Sequence, residues 1–284
     1  MNPDIPGSDG SYLYYDSDYP WPEEMEADPA LRMAAARQGI LHDVPHYLRL
    51  ARDLASMLGR APRITELACG TGRLSVPLAR AGFAVQGVDA SPAMLEGLRQ
   101  RLEREDAATV SLLHVHEGDL RQLDLPEKAQ DLIIMGFNIL MLIADFQAQQ
   151  DVLARACAHL APGGWLALDV ANPLMLSLGA SATPDASYTR RNRRTGNLYT
   201  KFAMVGQLDE RQVQHVHGWY DEVVPGGAVR RTHYGFHWRP VFRFELELML
   251  RQAGFDLERV DGDFQGGPFD TGAPKMVVLA RRRA

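Results

Sequence analysis

The chain has 284 residues, of which 46% are hydrophobic, so it can bury a large core and suits one elaborated domain or two unequal ones. Its formal net charge of −6 disfavours a general nucleic-acid-binding surface, and its two cysteines support neither a disulfide scaffold nor a thiolate metal site. No apolar run reaches membrane-spanning length and the first ten residues lack signal-peptide features, so we expect a cytoplasmic protein that binds neither nucleic acid nor membrane.

The first sixty residues divide into two parts of different character. Residues 1–29 are rich in Asp, Glu, Pro and Tyr and show no regular period, which predicts a partly ordered arm lying over the body. Its four tyrosines are too many for a free tail, so we expect some to pack on the domain. From Pro29 to Leu58 apolar residues recur at intervals of three and four, which predicts helix. Strand and helix then alternate to about residue 172, which predicts a parallel sheet with both faces covered.

A two-glycine turn follows the first predicted strand, Ile64–Leu67. Gly70 and Gly72 let main-chain N–H groups approach a ligand, and a helix that opens near Arg73 presents its positive end there. We expect a side chain at either glycine to fill the ligand's space. A dinucleotide-binding turn would carry a third glycine, which is missing, and Glu66 would repel a pyrophosphate. A ligand with a cationic or zwitterionic end therefore fits better.

The segment from Glu66 to Gly72 resembles the first motif of the class I S-adenosylmethionine-dependent methyltransferases. The next landmark agrees, because residues 84–89 predict a second strand that ends in Asp89, and Ser91-Pro92 predicts the start of a helix. Asp89 lies 17 residues after Gly72, near the separation at which a strand–helix–strand unit places a carboxylate on ribose hydroxyls.

Three later landmarks follow in the order that the family shows. Residues 110–115 predict a third strand, and Glu117 to Leu120 match the family's third element. Residues 131–138 resemble the fourth strand and its exit, near the methyl group, and residues 160–169 resemble the turn and the fifth strand. The resemblance implies an α/β fold, with a Rossmann-like, doubly wound, mostly parallel seven-stranded sheet and an inserted antiparallel sheet.

The resemblance also implies S-adenosylmethionine as cofactor and S-adenosylhomocysteine as product. It places the glycine turn beside the methionine part, Asp119 on the adenine amino group with the Leu120 backbone close to the ring, and an N-terminal tyrosine over the methionine carboxylate. Met94 either packs on the adenine ring or belongs to the core. The expected cofactor-binding residues are Tyr14, Tyr15, Glu66, Ala68, Gly70, Gly72, Arg73, Asp89, Ala90, Met94, Asp119, Leu120 and Asn138.

Beyond Asn172 the pattern changes to extended runs with short connections, which predicts an antiparallel meander. The runs are residues 198–205, 213–220 and 229–238. Helical spacing resumes from Phe242 to Ala253, which Gly254 ends, and residues 255–260 and 276–280 supply the last two strands.

These patterns divide the chain into an arm of residues 1–29, a cofactor-binding domain of residues 30–173 and 239–284, and an inserted subdomain of residues 174–238. Similar methyltransferases that act on small amines or sugars carry such an inserted sheet as a substrate cover. Specificity is therefore expected to reside in the inserted subdomain.

Alternation along residues 213–220 places His215 and His217 on one face and Tyr220 on the other. The histidines of these strands invite a metal site, but no acidic ligand is evident, so we predict none. An amine acceptor must be neutral to attack the sulfonium methyl, and His217 or His237 could take its proton. His217, His237 and Tyr220 are the candidate catalytic residues.

The leading hypothesis is S-adenosylmethionine-dependent methyl transfer to nitrogen, or to oxygen, of a metabolite or natural product. Protein or nucleic-acid methylation is an alternative that should need a long open groove or a basic face. A non-catalytic S-adenosylmethionine-binding protein is another. The acceptor and the choice between a monomer and a homodimer stay open at this stage.

Overall fold

The computed structural model describes residues 10–125 and 128–283. Its strands are β1 (Ile64–Leu67), β2 (Val85–Asp89), β3 (Leu113–Glu117), β4 (Gln130–Met135), β5 (Leu160–Ala171), β6 (Asp185–Arg191), β7 (Leu198–Val205), β8 (Gln214–Val223), β9 (Val229–Trp238), β10 (Phe255–Asp261) and β11 (Lys275–Arg282). Its α-helices are α1 (Tyr15–Asp18), α2 (Pro22–Ala27), α3 (Pro29–Arg37), α4 (Asp43–Leu58), α5 (Ser75–Arg80), α6 (Pro92–Leu102), α7 (Ala107–Leu112), α8 (Ile139–Leu142), α9 (Phe146–His159) and α10 (Arg243–Ala253).

The body is a seven-stranded sheet in the spatial order β10-β11-β5-β4-β1-β2-β3. Neighbours are parallel except that β11 runs antiparallel to both β5 and β10. The central strands β1 and β4 are buried along their whole length, as expected for strands with helices on both faces. This arrangement confirms the mostly parallel α/β sheet expected from the sequence.

Two apolar cores cover the two faces of this sheet. One contains Leu153 of α9 and Leu250 of α10, and the other contains Leu54 of α4, Leu78 of α5 and Leu98 of α6. The helices alternate with strands along the chain, so each crossover brings an apolar helix face onto the sheet. The carboxyl ends of β1, β2 and β4 are left free to carry side chains that bind a ligand.

A separate antiparallel sheet of order β6-β7-β8-β9 is inserted between β5 and α10. The structure confirms the predicted meander β7-β8-β9 and adds β6, which the sequence analysis missed. The residues of β6 are exposed or half-buried, so this edge strand lacks the apolar alternation by which strands are recognised.

Two local expectations were wrong. The helix expected over residues 29–58 is two helices, because Gly39 with φ +68° lies in the break between α3 and α4. Residues 110–112, which were expected to begin the third strand, belong instead to α7, since the Asp106 carboxylate accepts a hydrogen bond from the Thr109 N–H at 2.7 Å and caps that helix. The described part of the arm, for which the sequence predicts partial order, contains the short helices α1 and α2; residues 1–9 lie outside the described residues.

None of the described helices combines the length and the apolar character needed to cross a membrane.

Candidate active site

A cavity of about 400 Å³ lies between the carboxyl ends of β1, β2 and β4 and the inserted sheet. Its volume is in the range of small-molecule sites. Eleven of the sixteen side chains singled out from the sequence line it, and these are Tyr15, Ala68, Gly70, Asp89, Ala90, Met94, Asp119, Leu120, Asn138, Tyr220 and His237. The structure thus gathers residues from the arm, the parallel sheet and the insertion around one space.

The two glycines of the turn after β1 have different roles. Gly70 has φ +55° and a Cβ added to it would lie 3.6 Å from the Tyr15 hydroxyl, on the cavity wall. Gly72 has φ +83°, and its Cβ would lie 2.3 Å from Cδ1 of Leu98 in α6, inside the protein. The expectation that a side chain at Gly72 would fill the ligand's space was therefore wrong. Gly72 instead allows α6 to pack against the turn.

Asp89 ends β2 and holds the glycine turn. Its carboxylate accepts hydrogen bonds from the backbone N–H groups of Gly70 and Ser91, both at 2.8 Å. Burial raises the pKa of Asp89, and these two N–H groups oppose the rise. Because each carboxylate oxygen has two acceptor positions, Asp89 retains capacity for ligand hydroxyls on its cavity side.

Glu66 lines a second, smaller cavity of about 30 Å³, which shares Tyr15, Ala68 and Phe137 with the large one. Its carboxylate accepts a hydrogen bond from the Ser75 hydroxyl. Burial raises the pKa of Glu66 to about 8, and the neighbouring charge of Asp89 adds to the rise. A cationic group in this space would favour the ionised carboxylate.

Arg73 also lines the smaller cavity rather than the large one. Its buried guanidinium donates to the Asp43 carboxylate at 2.5 Å and to the Pro20 carbonyl at 3.0 Å. Arg73 therefore connects the turn to α4 and to the arm. The helix expected to open near Arg73 begins two residues later, at Ser75.

The far end of the cavity carries Asp119 and Leu120, which follow β3. The Asp119 carboxylate accepts from the guanidinium of Arg121, with Nη2 at 2.6 Å, and this pairing lowers the pKa of Asp119. Arg121 also lines the cavity, and the sequence analysis did not single it out. A ligand amino group at Asp119 must share the carboxylate with Arg121.

The two neighbouring tyrosines of the arm point to different places. Tyr15 lines both cavities, and its burial raises the pKa of its hydroxyl. Tyr14 lines neither; its hydroxyl donates to the buried Glu222 carboxylate at 2.8 Å, and its ring stacks on Tyr220 with centroids 4.0 Å apart. Tyr14 thus anchors the arm to the inserted sheet.

Asp18 is a second anchor, which sequence reasoning missed. Its carboxylate is 1% exposed and accepts from the Tyr199 hydroxyl at 2.7 Å, the Tyr220 hydroxyl at 2.8 Å and the Lys201 ammonium at 2.7 Å. Asp18 and Lys201 both line the large cavity. An acidic residue in an arm and tyrosines in a distant strand carry no sequence signal that pairs them.

Of the two histidines singled out as bases, His217 lies on the face of the inserted sheet away from the cavity, whereas His237 is half-buried and borders the cavity. The His217 ring stacks on the His233 ring with centroids 5.6 Å apart, and both residues are exposed. The His237 ring stacks at 4.8 Å on the exposed His215, although His237 also borders the cavity. This placement argues against His217 as the base, whereas His237 borders the cavity with its ring stacked on His215.

Tyr220 does face the cavity, but its hydroxyl donates to Asp18 and burial raises its pKa. In the described ranges, no group of three ligand-type side chains is arranged to hold a metal ion.

The chain leaves β4 through a turn in which two residues with side chains, Phe137 and Asn138, have φ values of +65° and +64°. The left-handed region is disfavoured for residues with a Cβ, and for a bulky residue it indicates local strain. Both residues line the large cavity. The φ values of Phe137 and Asn138 therefore set the shape of this wall.

Comparison with known proteins agrees with this fold and site. A methyltransferase domain family matches residues 64–164. The CcbJ methyltransferase from Streptomyces caelestis is 27% identical, covers 99% of both chains and superposes with a TM-score of 0.71. The cypemycin N-terminal methyltransferase of a Streptomyces species is 29% identical over 78% of this chain and 83% of its own length.

The fold is shared more widely. An S-adenosylmethionine-dependent methyltransferase from Clostridium acetobutylicum, 14% identical, gives a TM-score of 0.71 over 90% of this chain and all of its own. The fold, the site and these relatives define a methyltransferase. The matched domain and these methyltransferase relatives support the class I S-adenosylmethionine-dependent methyltransferase family, the family that the sequence resembles.

Proposed function

We propose that the protein transfers the methyl group of S-adenosylmethionine to a nitrogen atom of a small molecule. The observation that carries this proposal is the cavity of about 400 Å³, which the glycine turn and Asp89 border on one side and the inserted sheet on the other. One space with these two walls suits a cofactor and a small acceptor held side by side.

The residues present fit this cofactor. The missing Cβ of Gly70 leaves the wall open, and Asp89 at the end of β2 suits vicinal hydroxyls. The small polar space beside Glu66 suits the ammonium end of a methionine, since a buried carboxyl gains from a cationic neighbour. Asp119 and Leu120 are available to an adenine ring. S-adenosylmethionine supplies, when bound, a methyl group on a cationic sulfur, and S-adenosylhomocysteine is the corresponding product.

The protein's part in the reaction is to align the reactants and to exclude water. Aromatic side chains from three segments, among them Tyr19, Phe137 and Phe236, line the space. The Tyr220 hydroxyl donates to Asp18 and is not a base. Because His217 lies on the outer face, and His237, although it borders the cavity, stacks its ring on His215, we propose that an amine acceptor enters in its neutral form and loses its proton after transfer.

Nitrogen is proposed as the acceptor atom because a relative with 29% identity is named as an N-terminal methyltransferase of cypemycin. A small acceptor is proposed because arm and insertion cover the cavity, whereas a protein or nucleic-acid substrate would need a long open groove. We therefore also propose that the arm and residues 174–238 form the substrate cover of a cofactor-binding domain made of residues 30–173 and 239–284.

Calorimetry with S-adenosylmethionine and S-adenosylhomocysteine, followed by a methyl-transfer screen on amines, sugars and phenols, tests the proposal. We expect both nucleosides to bind and at least one amine to be methylated. Absence of binding at saturating ligand would refute the cofactor assignment. Tight binding without transfer to any amine, sugar or phenol would favour a carrier, and transfer to phenols alone would exclude nitrogen as the acceptor.

A further inference from the structure

The turn after β4 is held by a buried hydrogen-bond network. The side chains that form it, Tyr47, Asp169 and Lys275, lie before and after residues 64–164, the segment that matches the methyltransferase domain family. Asp169, near the end of β5, accepts at Oδ1 from the Phe137 backbone N–H, at 2.8 Å, and its carbonyl accepts from the Asn138 N–H at 3.1 Å. One residue thus receives both N–H groups of the left-handed pair. Its 1% exposure means that these hydrogen bonds form away from water.

Two further side chains complete the network. The Tyr47 hydroxyl donates to Oδ1 of Asp169 at 2.8 Å, and the Lys275 ammonium donates to Oδ2 at 2.7 Å. Lys275 also donates to the Asn138 side-chain oxygen at 3.0 Å. Tyr47 and Lys275 are 2% and 4% exposed, so hydrogen bonds to one another and to the turn satisfy these charges and the hydroxyl away from solvent.

The turn stands between the two cavities. Phe137 lines both, and Asn138 lines the large one only. Tyr19 of the arm packs edge-on against the Phe137 ring with centroids 4.5 Å apart, so the same turn also supports the cover. A change in φ at either residue would move a wall that borders both the glycine-turn side and the inserted-sheet side.

We propose that Tyr47, Asp169 and Lys275 are positioning residues for methyl transfer: they hold Phe137 and Asn138 in their left-handed conformation and so align acceptor and methyl group. Tyr47 and Asp169 also line the smaller cavity, but none of the three residues lines the large one, in which methyl transfer is proposed to occur, so they act on the reacting atoms through the turn. This inference rests on the proposed methyl-transfer function. The residues of the network come from α4, β5 and β11.

The test compares Asp169→Asn with Asp131→Asn. Asp131 is a matched control, because it is a buried carboxylate near the start of β4, at the amino ends of the parallel strands, and also accepts from a backbone N–H and from two arginines. With the amine that the wild-type protein methylates fastest, we expect Asp169→Asn to lower kcat about tenfold or more, and by a clearly larger factor than it lowers the affinity for S-adenosylhomocysteine, because Asp169 also lines the smaller cavity. Asp131→Asn should lower the melting temperature without this selective loss of kcat.

Crystal structures of the variants provide a readout that does not require activity. In Asp169→Asn we expect Phe137 or Asn138 to leave the left-handed region, whereas both should keep it in Asp131→Asn. Retained φ values, an equal loss of kcat in the control, or a loss of nucleoside affinity as large as the loss of kcat would each overturn the positioning role.

Tyr47→Phe removes a single hydroxyl and serves if Asp169→Asn does not fold. It should lower kcat several-fold in the same selective manner, and an unchanged kcat would overturn the proposal. A wild-type protein that methylates nothing would defeat the proposed function instead, while the structures would still show whether the network holds the turn.

Discussion

Glu66 makes cofactor binding depend on pH in a way that the structure allows us to work out. Burial raises the pKa of its carboxyl to about 8, so the protein without ligand carries Glu66 mainly protonated at neutral pH. A ligand ammonium beside it lowers this pKa, and a shift of about two units lies within the usual effect of an opposite charge. Binding should therefore release a proton, and affinity should rise with pH below about 8.

The magnitude follows from linkage between the two pKa values. With a pKa of about 8 in the free protein and roughly 6 in the complex, affinity for S-adenosylmethionine increases roughly tenfold between about pH 6 and pH 7.5. Folding stability changes in the opposite direction. In the unfolded chain Glu66 has a pKa near 4.5, so between pH 4.5 and about pH 8 the folded protein binds more protons than the unfolded one. The free energy of unfolding therefore falls as the pH rises through this window, by on the order of 5 kcal/mol.

Calorimetric titration in two buffers of different ionisation enthalpy measures both the affinity and the protons released. The matched control is Glu66→Gln, which keeps the shape of the side chain but cannot ionise. We expect its affinity to be nearly independent of pH and its thermal unfolding to lose the pH dependence due to Glu66. A wild-type affinity that stays constant over the same range, with no proton released, would refute the reasoning.

Three further substitutions test other parts of the site. Asp89→Ala should weaken nucleoside binding by about 1–3 kcal/mol through lost hydrogen bonds, as calorimetric titration would show. The control Asp106→Ala removes a helix cap that lines neither cavity and should leave binding unchanged. Equal affinities in the two variants would contradict a role for Asp89 in nucleoside binding. Gly72→Ala should destabilise the fold by about 1–3 kcal/mol in denaturant unfolding, because its Cβ meets Leu98, and unchanged stability would contradict that contact. Asp18→Asn should lower the free energy of unfolding by about 3–5 kcal/mol, because the buried carboxylate loses its charge and the Lys201 ammonium loses its charged partner, and it should make the arm more sensitive to limited proteolysis. An arm as resistant as that of the wild type would argue against the anchor.

The central part of the fold could be predicted because its signals are local. A short apolar strand, two glycines and an acid after a fixed interval define β1, the turn and β2 within 26 residues, from Ile64 to Asp89. The meander was equally accessible, since β7 and β9 have the bounds that their alternation predicts. The conformation of each of these elements is determined mainly by residues that are close together in the sequence, so the pattern of residues is enough to predict it.

The parts that could not be predicted depend on pairs distant in the chain. Asp18 meets Tyr199 across 181 positions and Lys275 meets Asp169 across 106, and no spacing rule connects such residues. Gly72 was misjudged for a related reason: its glycine signature is the same whether the space beside it holds a ligand or a helix, and only the position of Leu98 decides.

The buried contact between Tyr14 and Glu222 has a consequence for how the protein is made. The two residues are 208 positions apart, so the arm leaves the ribosome long before β8, its docking partner, has been synthesised. During translation the aromatic rings of the arm therefore lack the residues against which they pack in the folded protein. A nascent chain that stops short of the insertion has a glycine turn but no enclosed chamber, so the cavity is completed only after β8 and β9 have been synthesised.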